Sequence, residues 1–139
     1  MKKQIEHVRQ FHDAFGIENK QKPTAQLSEK VYQLRYNLMK EENEEYLEAA
    51  EAGDMVEIAD ALGDMMYILC GTILSHGMDY IIDDVFEEIQ QSNMSKLDEN
   101  GKPIYREDGK VMKGANYFKP NIKSILEKHG AELQKAPKK

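Results

Sequence analysis

Residues 31–45, VYQLRYNLMKEENEE, and residues 57–64, EIADALGD, decide how this chain is read. Leu27, Val31, Leu34 and Leu38 recur every three or four residues, the period of one helix face. That period continues through Glu41/Glu42, Glu45 and Ala49, but the residue type switches from leucine to glutamate. Glu42 and Glu45 thus fall one turn apart, on or beside the face that points inward. In the second stretch Asp60 and Asp64 are four apart and Glu57 precedes Asp60 by three, so all three share a face flanking Leu62 and Met65. Antiparallel packing of two such helices gathers four or more carboxylates. Two like charges at about 4 Å repel by roughly 4 kcal/mol at an effective dielectric near 20, so the cluster calls for protons, cations or water. An oxygen-only donor set favours Mg2+, with Mn2+ as the variant, over zinc, and no cysteine or histidine spacing competes for the role.

Outward from this centre, helical periodicity covers most of the chain. Ile5, Val8, Phe11, His12 and Phe15 predict a first helix stopped at Gly16, and residues 17–25, with Pro23 and Thr24, read as a loop. The helix starting with Leu27 is expected to end near Gly53. Asp54 caps a third helix with Ile58, Leu62, Met65, Leu69 and Ile73 on its apolar face, ending near His76-Gly77. Asp79 is placed as the cap of a fourth helix carrying Ile82, Val85, Phe86, Ile89 and Leu97. Asp98-Glu-Asn-Gly101 and Glu107-Asp-Gly109 are turn signals, with Ile104-Tyr-Arg pairing Lys110-Val-Met as a small hairpin. A short helix is expected at Ile122–Lys128. The fold class is therefore all-α, an antiparallel bundle of four to five helices with a C-terminal loop or hairpin. Residues 1–133 read as one domain, and 134–139 as a frayed basic tail.

Composition narrows the function classes. At 139 residues, with 40% hydrophobic and 32% charged side chains, the chain supports a real core. A net charge of −6 disfavours nucleic-acid polymers and anionic membranes as partners, so a polyanionic substrate needs local cationic help. The single Cys70 excludes an internal disulfide and suits a reducing compartment. The polar start and the broken apolar stretch from Met65 to Ile82 argue against secretion or membrane spanning, so a cytoplasmic location is expected.

Glu44, Glu48 and Glu51 fall off the stripe and read as solvated surface. Glu57 also fits a capping box, Asp54-Met-Val-Glu57, so cap and metal ligand both stay open for it. The remaining pattern resembles the all-α NTP pyrophosphohydrolases, a superfamily that includes MazG-like proteins, dimeric dUTPases and phosphoribosyl-ATP pyrophosphohydrolase. Glu42-Asn-Glu-Glu45 matches the first half of their signature and Asp64-Met-Met-Tyr67 the end of the second. Residues 11–16, 59–64, Gly71-Thr72, 92–96 and 108–120 look like blocks of a MazG-like subgroup, in order over residues 8–121. One position departs: Ala61 stands where many members carry glutamate, and Asp60, or Glu57 with Asp60, is the available substitute.

The resemblance implies Mg2+-dependent hydrolysis of an NTP or dNTP to the monophosphate and pyrophosphate, in at least a dimer. Glu42, Glu45, Asp60 and Asp64, with Glu57 as an alternative, are the expected metal ligands. Glu41, rotated about 100° from Glu42 on the helix, is the candidate base for water. The family pattern places Asn93 and Lys96 on phosphate or sugar, and Lys110 and Lys113 are candidates for a lid over the phosphates. Phe11, His12 and Phe15 offer either a base pocket or ordinary core. Two other classes stay open: a catalytically weak nucleotide-binding regulator, and a helical interaction protein with an incidental acidic patch.

Overall fold

A computed structural model describes residues 1–131 and 133, so the basic tail expected at 134–139 lies outside the described residues. The all-α expectation holds: five helices and one two-stranded hairpin make up the regular structure among the described residues. Residues 1–80 and the segment starting at Ile81 form two compact units.

In the first unit α1 (Lys2–Phe15) and α2 (Glu29–Ala52) both pack on α3 (Met55–Ser75). Ile5, Val8 and His12 are the buried positions of α1, at the three-to-four spacing that the sequence predicts. The N-terminus of α2 is set by Ser28, whose hydroxyl accepts the Val31 N–H at 3.3 Å. Leu27, expected inside this helix, therefore precedes it. Between α2 and α3 the chain turns at Gly53-Asp54, and the Asp54 carboxylate accepts the Glu57 N–H at 3.1 Å. Only half of the capping box forms, because the Asp54 N–H donates to the Ala49 carbonyl at 3.0 Å instead of to Glu57.

Such a short turn makes α2 and α3 antiparallel, and Arg35 fixes their register. Its Nε donates to Thr72 Oγ1 at 3.0 Å and its Nη2 to the Ile68 carbonyl at 2.8 Å. Gly71 makes this possible. A Cβ there would stand 2.5 Å from Arg35 Nη2 and 2.9 Å from His12 Nε2, so only glycine lets both side chains lie against α3. The expected α3 stripe is only partly inward: Ile73 is buried and Ile58 and Met65 half-buried, while Leu62 and Leu69 are exposed. By length and hydropathy α3 qualifies as a membrane-spanning helix. A core helix packed on two neighbours has the same composition, and the buried Arg35 bonded to it fits that alternative.

Residues 17–28 are strapped to the end of α3. Lys20 N–H reaches the Leu74 carbonyl at 3.2 Å, Thr24 N–H the His76 carbonyl at 2.9 Å, and His76 Nδ1 the Thr24 carbonyl at 2.8 Å. Gly77, at φ +68°, passes so close to the Lys22 carbonyl that a Cβ would lie 2.3 Å from its oxygen.

Asp79 does not cap a helix as expected. Arg9 Nη2 donates to its carboxylate at 2.7 Å, which takes the side chain away from the backbone N–H groups ahead. In the second unit α4 (Ile82–Met94) therefore starts without a side-chain cap. It also stops short of Leu97, and of Lys96, which the sequence reading put on the helix. Ser95 Oγ donates to the Ser92 carbonyl at 2.6 Å and accepts the Phe118 N–H at 3.1 Å, and Gly114 N–H donates to the Lys96 carbonyl at 2.9 Å. The chain thus leaves the helix to receive its own later loop. Strands β1 (Ile104–Tyr105) and β2 (Val111–Met112) pair antiparallel, Ile104 opposite Met112, as expected. The short α5 (Ile122–Lys128) also falls where predicted, tied to α4 through His129 Nε2 and Asp84 Oδ2 at 2.8 Å.

Candidate metal centre

The register set by Arg35 and Thr72 places the acids. Seven residues on from Arg35 along α2, about two turns or 10 Å, stands Glu42. Eight residues back from Thr72 along α3 stands Asp64. On antiparallel helices these two movements run the same way, so Glu42 and Asp64 arrive at one level, and Glu45 and Asp60 a turn further on. The order of charges acting on Glu42 agrees with this ladder. Its carboxyl is pushed up to about 7, first by burial, next by the Glu45 carboxylate beside it, then by the charges of Asp64 and Asp60. Glu57 and Glu41 are not among those charges.

Glu42 and Asp64 are half-buried; Glu41, Glu45, Glu57 and Asp60 are exposed. Glu42 Oε2 is sealed from solvent and has no hydrogen-bond partner among the described residues. A lone buried carboxylate oxygen costs on the order of 1–3 kcal/mol, more when charged, so it is a position that asks for a proton or a cation. Among the described residues no three His, Cys, Asp or Glu side chains converge into a closed ligand cage. Ala61 is only 2% exposed, part of the packed core. A glutamate there would have to leave the core to join the acids, while Asp60, next to it, is already outside.

Asn93, Lys96, Lys110 and Lys113 all lie in the second unit. Asn93 is exposed, the Lys96 side chain is half-buried beyond the end of α4, and Lys110 and Lys113 are exposed near the hairpin. Lys113 Nζ stands 4.7 Å from the Tyr117 ring centre, a cation–π contact. Gly114, bonded to the Lys96 carbonyl, brings Lys113 into the same part of the chain as Lys96. The residues that the sequence reading missed are Arg35 and Thr72. A lone arginine between Leu34 and Leu38 was the available signal, since a charge beside an apolar stripe needs partners.

Carboxylates facing each other across two antiparallel helices define the class of all-α NTP pyrophosphohydrolases. The chain belongs to the phosphoribosyl-ATP pyrophosphohydrolase family, whose model matches residues 8–93. That span contains all the proposed ligands on α2 and α3, and Asn93 at its edge. Among solved structures, a candidate NTP pyrophosphohydrolase from Exiguobacterium sp. 255-15 is similar at 25% identity, over 90% of this chain and 94% of that one, with a TM-score of 0.49. No curated protein matches the chain.

Proposed function

We propose that the protein is an Mg2+-dependent hydrolase that converts a nucleoside triphosphate, ribo or deoxy, to the monophosphate and pyrophosphate. The observation that carries this reading is the sealed, unpartnered Oε2 of Glu42 among three further carboxylates. The donors are all oxygen, which fits magnesium or manganese. Glu42, Glu45, Asp60 and Asp64 would hold the cation, with Asp60 favoured over Glu57 because the charge of Asp60 acts on Glu42 and that of Glu57 does not. When bound, a divalent cation supplies charge neutralisation for the phosphates and a more acidic water.

The chain's own residues supply the rest. Glu41, exposed and adjacent to Glu42, accepts the proton of the attacking water at its carboxylate. The water oxygen bonds to the α-phosphorus, the bond from that phosphorus to the α–β bridging oxygen breaks, and the oxygen leaves with pyrophosphate. On the second unit Asn93 and Lys96 are proposed contacts to phosphate or sugar, and Lys110 and Lys113 proposed contacts to phosphate. A homodimer, or a higher homo-oligomer, is also proposed. Leu62, Met66 and Leu69 share one face of α3 and are 44–48% exposed, a stripe that a second copy would cover. A cytoplasmic location, with neither membrane nor nucleic-acid polymer as partner, completes the reading.

The test is a panel of NTPs and dNTPs with Mg2+ or Mn2+, separating pyrophosphate from orthophosphate. Pyrophosphate with the monophosphate is expected. Orthophosphate as first product would exclude α–β cleavage, and tight nucleotide binding without turnover would select a regulatory binding protein on the same scaffold.

A further inference from the structure

The second unit folds its own later loop back onto the end of α4, and two serines hold it there. Ser92 is only 3% exposed, and its hydroxyl donates to the Phe118 carbonyl at 2.8 Å. Ser95 Oγ accepts the Phe118 N–H at 3.1 Å and donates to the Ser92 carbonyl at 2.6 Å. Both backbone groups of Phe118 are thus gripped by side chains one turn apart. A second anchor lies four residues earlier, where Gly114 N–H reaches the Lys96 carbonyl at 2.9 Å. A Cβ at Gly114 would stand 2.4 Å from the Leu97 carbonyl oxygen, so only glycine permits this approach. Between the anchors, Tyr117 N–H closes a turn on the Gly114 carbonyl at 3.2 Å. The loop is held at both ends.

What the two anchors bring together is positive charge. Lys113 precedes Gly114, so its backbone meets that of Lys96 through the Gly114 bond, and two four-carbon stems start from adjoining points. The end of a helix ordinarily exposes carbonyls, which attract ammonium groups and repel anions. Here the carbonyls of Gln91, Ser92, Asn93, Met94 and Lys96 all accept hydrogen bonds from the chain itself. Acids of the same unit are committed as well. Asp98 accepts the Asn100 and Lys102 N–H groups, Asp108 pairs with Arg106, and Glu88 accepts the Asn121 N–H. Among the described residues, neither Lys96 nor Lys113 has an ion pair, and the Lys113 ammonium lies over the Tyr117 ring instead. Two cations are thus placed together with no counter-charge.

We propose that Ser92, Ser95 and Gly114 are positioning residues: they set Lys113 beside Lys96 before any ligand arrives, as a preassembled pair for the pyrophosphate portion of the substrate. That the anion belongs to a substrate rests on the pyrophosphohydrolase reading, whereas the pairing of the lysines rests on contacts within the second unit. A diphosphate spreads its charge over two neighbouring groups, and two ammonium groups on flexible stems match that spacing without demanding one geometry. A chain of net charge −6 gains no attraction for such an anion from its overall field, so affinity falls to local cations already in place. Lysines on a loose loop would have to be ordered at the moment of binding. The serine and glycine anchors remove that cost in advance.

The test is a double-mutant cycle, read by calorimetric titration of inorganic pyrophosphate into the full chain with Mg2+, so that no hydrolysis is required. Lys113→Gln should weaken binding about tenfold, as a lost charged contact does. Ser95→Ala should weaken it about threefold to tenfold, the range for ordering one long side chain on binding. Ser95→Thr, which keeps the hydroxyl, should bind like the native protein. In a Lys113→Gln background Ser95→Ala should have no further effect, because the serine acts through the lysine. A serine with only a structural role would lower Tm and leave affinity alone, or weaken binding equally in both backgrounds, and either result overturns the proposal. Where thermal melting shows Ser95→Ala unfolded, Gly114→Ala displaces the loop at its other anchor and should give the same loss and the same cycle. A native protein that binds no pyrophosphate overturns the proposal too. The expected coupling in a protein that turns over no NTP would support the positioning role and count against the hydrolase reading. Turnover of NTP to monophosphate and pyrophosphate, with pyrophosphate affinity indifferent to Ser95 and Gly114, would do the opposite.

Discussion

Replacing Glu42 by glutamine keeps the shape of the side chain and removes its charge, which turns the strained carboxylate into a measurable quantity. In the folded protein this carboxyl is pushed from 4.5 to about 7. Folding therefore favours its protonated form. The stability that it contributes is fully present below about pH 4.5 and is lost as pH rises through about 7. The shift sets a ceiling of about 3 kcal/mol. Solvent reaches the half-buried side chain, so about 1–2 kcal/mol is the expected size. For a chain of this length that is a fall in Tm of about 3–6 °C between pH 5 and pH 8. Calorimetric melts in EDTA across that range should show this step in the native protein, and Glu42→Gln should flatten it while raising Tm at pH 8. Mg2+ at about 100 times its Kd should then add about 2.7 kcal/mol to the native protein at pH 8 and much less to Glu42→Gln. The reasoning fails if Glu42→Gln melts lower than the native protein at pH 8 without metal, or if the pH step survives the substitution.

Other substitutions test neighbouring parts of the account. Asp64→Asn should cut pyrophosphate release at least about a hundredfold and remove most of the Mg2+-induced rise in Tm, and native turnover would exclude Asp64 as a ligand. Gly77→Ala places a methyl group against the Lys22 carbonyl at positive φ, so urea unfolding should show a loss of about 1–3 kcal/mol. Asp54→Ala removes the cap of α3 and should cost about 1 kcal/mol in the same assay, with the m-value unchanged.

Helix boundaries were legible wherever one residue does one job. Gly53 and Asp54 punctuate the junction of α2 and α3 through local geometry, and the alternation of turn signals from Asp98 to Gly109 locates the hairpin. Asp79 misled for the opposite reason. An aspartate before an apolar run is a cap by local rules, but Arg9, seventy residues earlier in sequence, took its carboxylate. Periodicity likewise predicted that Leu62 and Leu69 face inward, yet α3 is apolar around most of its circumference, so its stripe has no unique direction. At the site, phase put Glu42 and Glu45 on one stripe, but Val31 and Leu34 of that stripe are exposed and only Glu42 of the two acids is half-buried. Local pattern put Asp60 ahead of Glu57 because Glu57 also fits a capping box, and it had no view of how either stands to Glu42 across the turn. Arg35 was illegible because its partners, Thr72 and the Ile68 carbonyl, sit across the turn, and a backbone carbonyl leaves no trace in the sequence.

A single turn sets the relation between the acids and Arg35. α2 and α3 are antiparallel about Gly53-Asp54, so each step back along α2 is matched by a step forward along α3. Glu45 with Asp60, Glu42 with Asp64, Leu38 with Ile68, and Arg35 with Thr72 follow as successive levels of one ladder. The last is a direct hydrogen bond, and in the second the charge of Asp64 helps to raise the Glu42 carboxyl. Gly71 permits the last level to close, and the unbroken helices between keep the acidic levels in phase with it. One residue inserted within α2 between Arg35 and Glu42 would rotate the α2 acids by about 100° away from those on α3 if the Arg35–Thr72 bond is kept, or break that bond if the acids stay in phase. The placement of the acids and the packing of Arg35 are therefore linked through backbone register, although they share no side chain. That linkage explains why glycine and threonine at 71 and 72 belong to the chemistry of the protein as much as the carboxylates do.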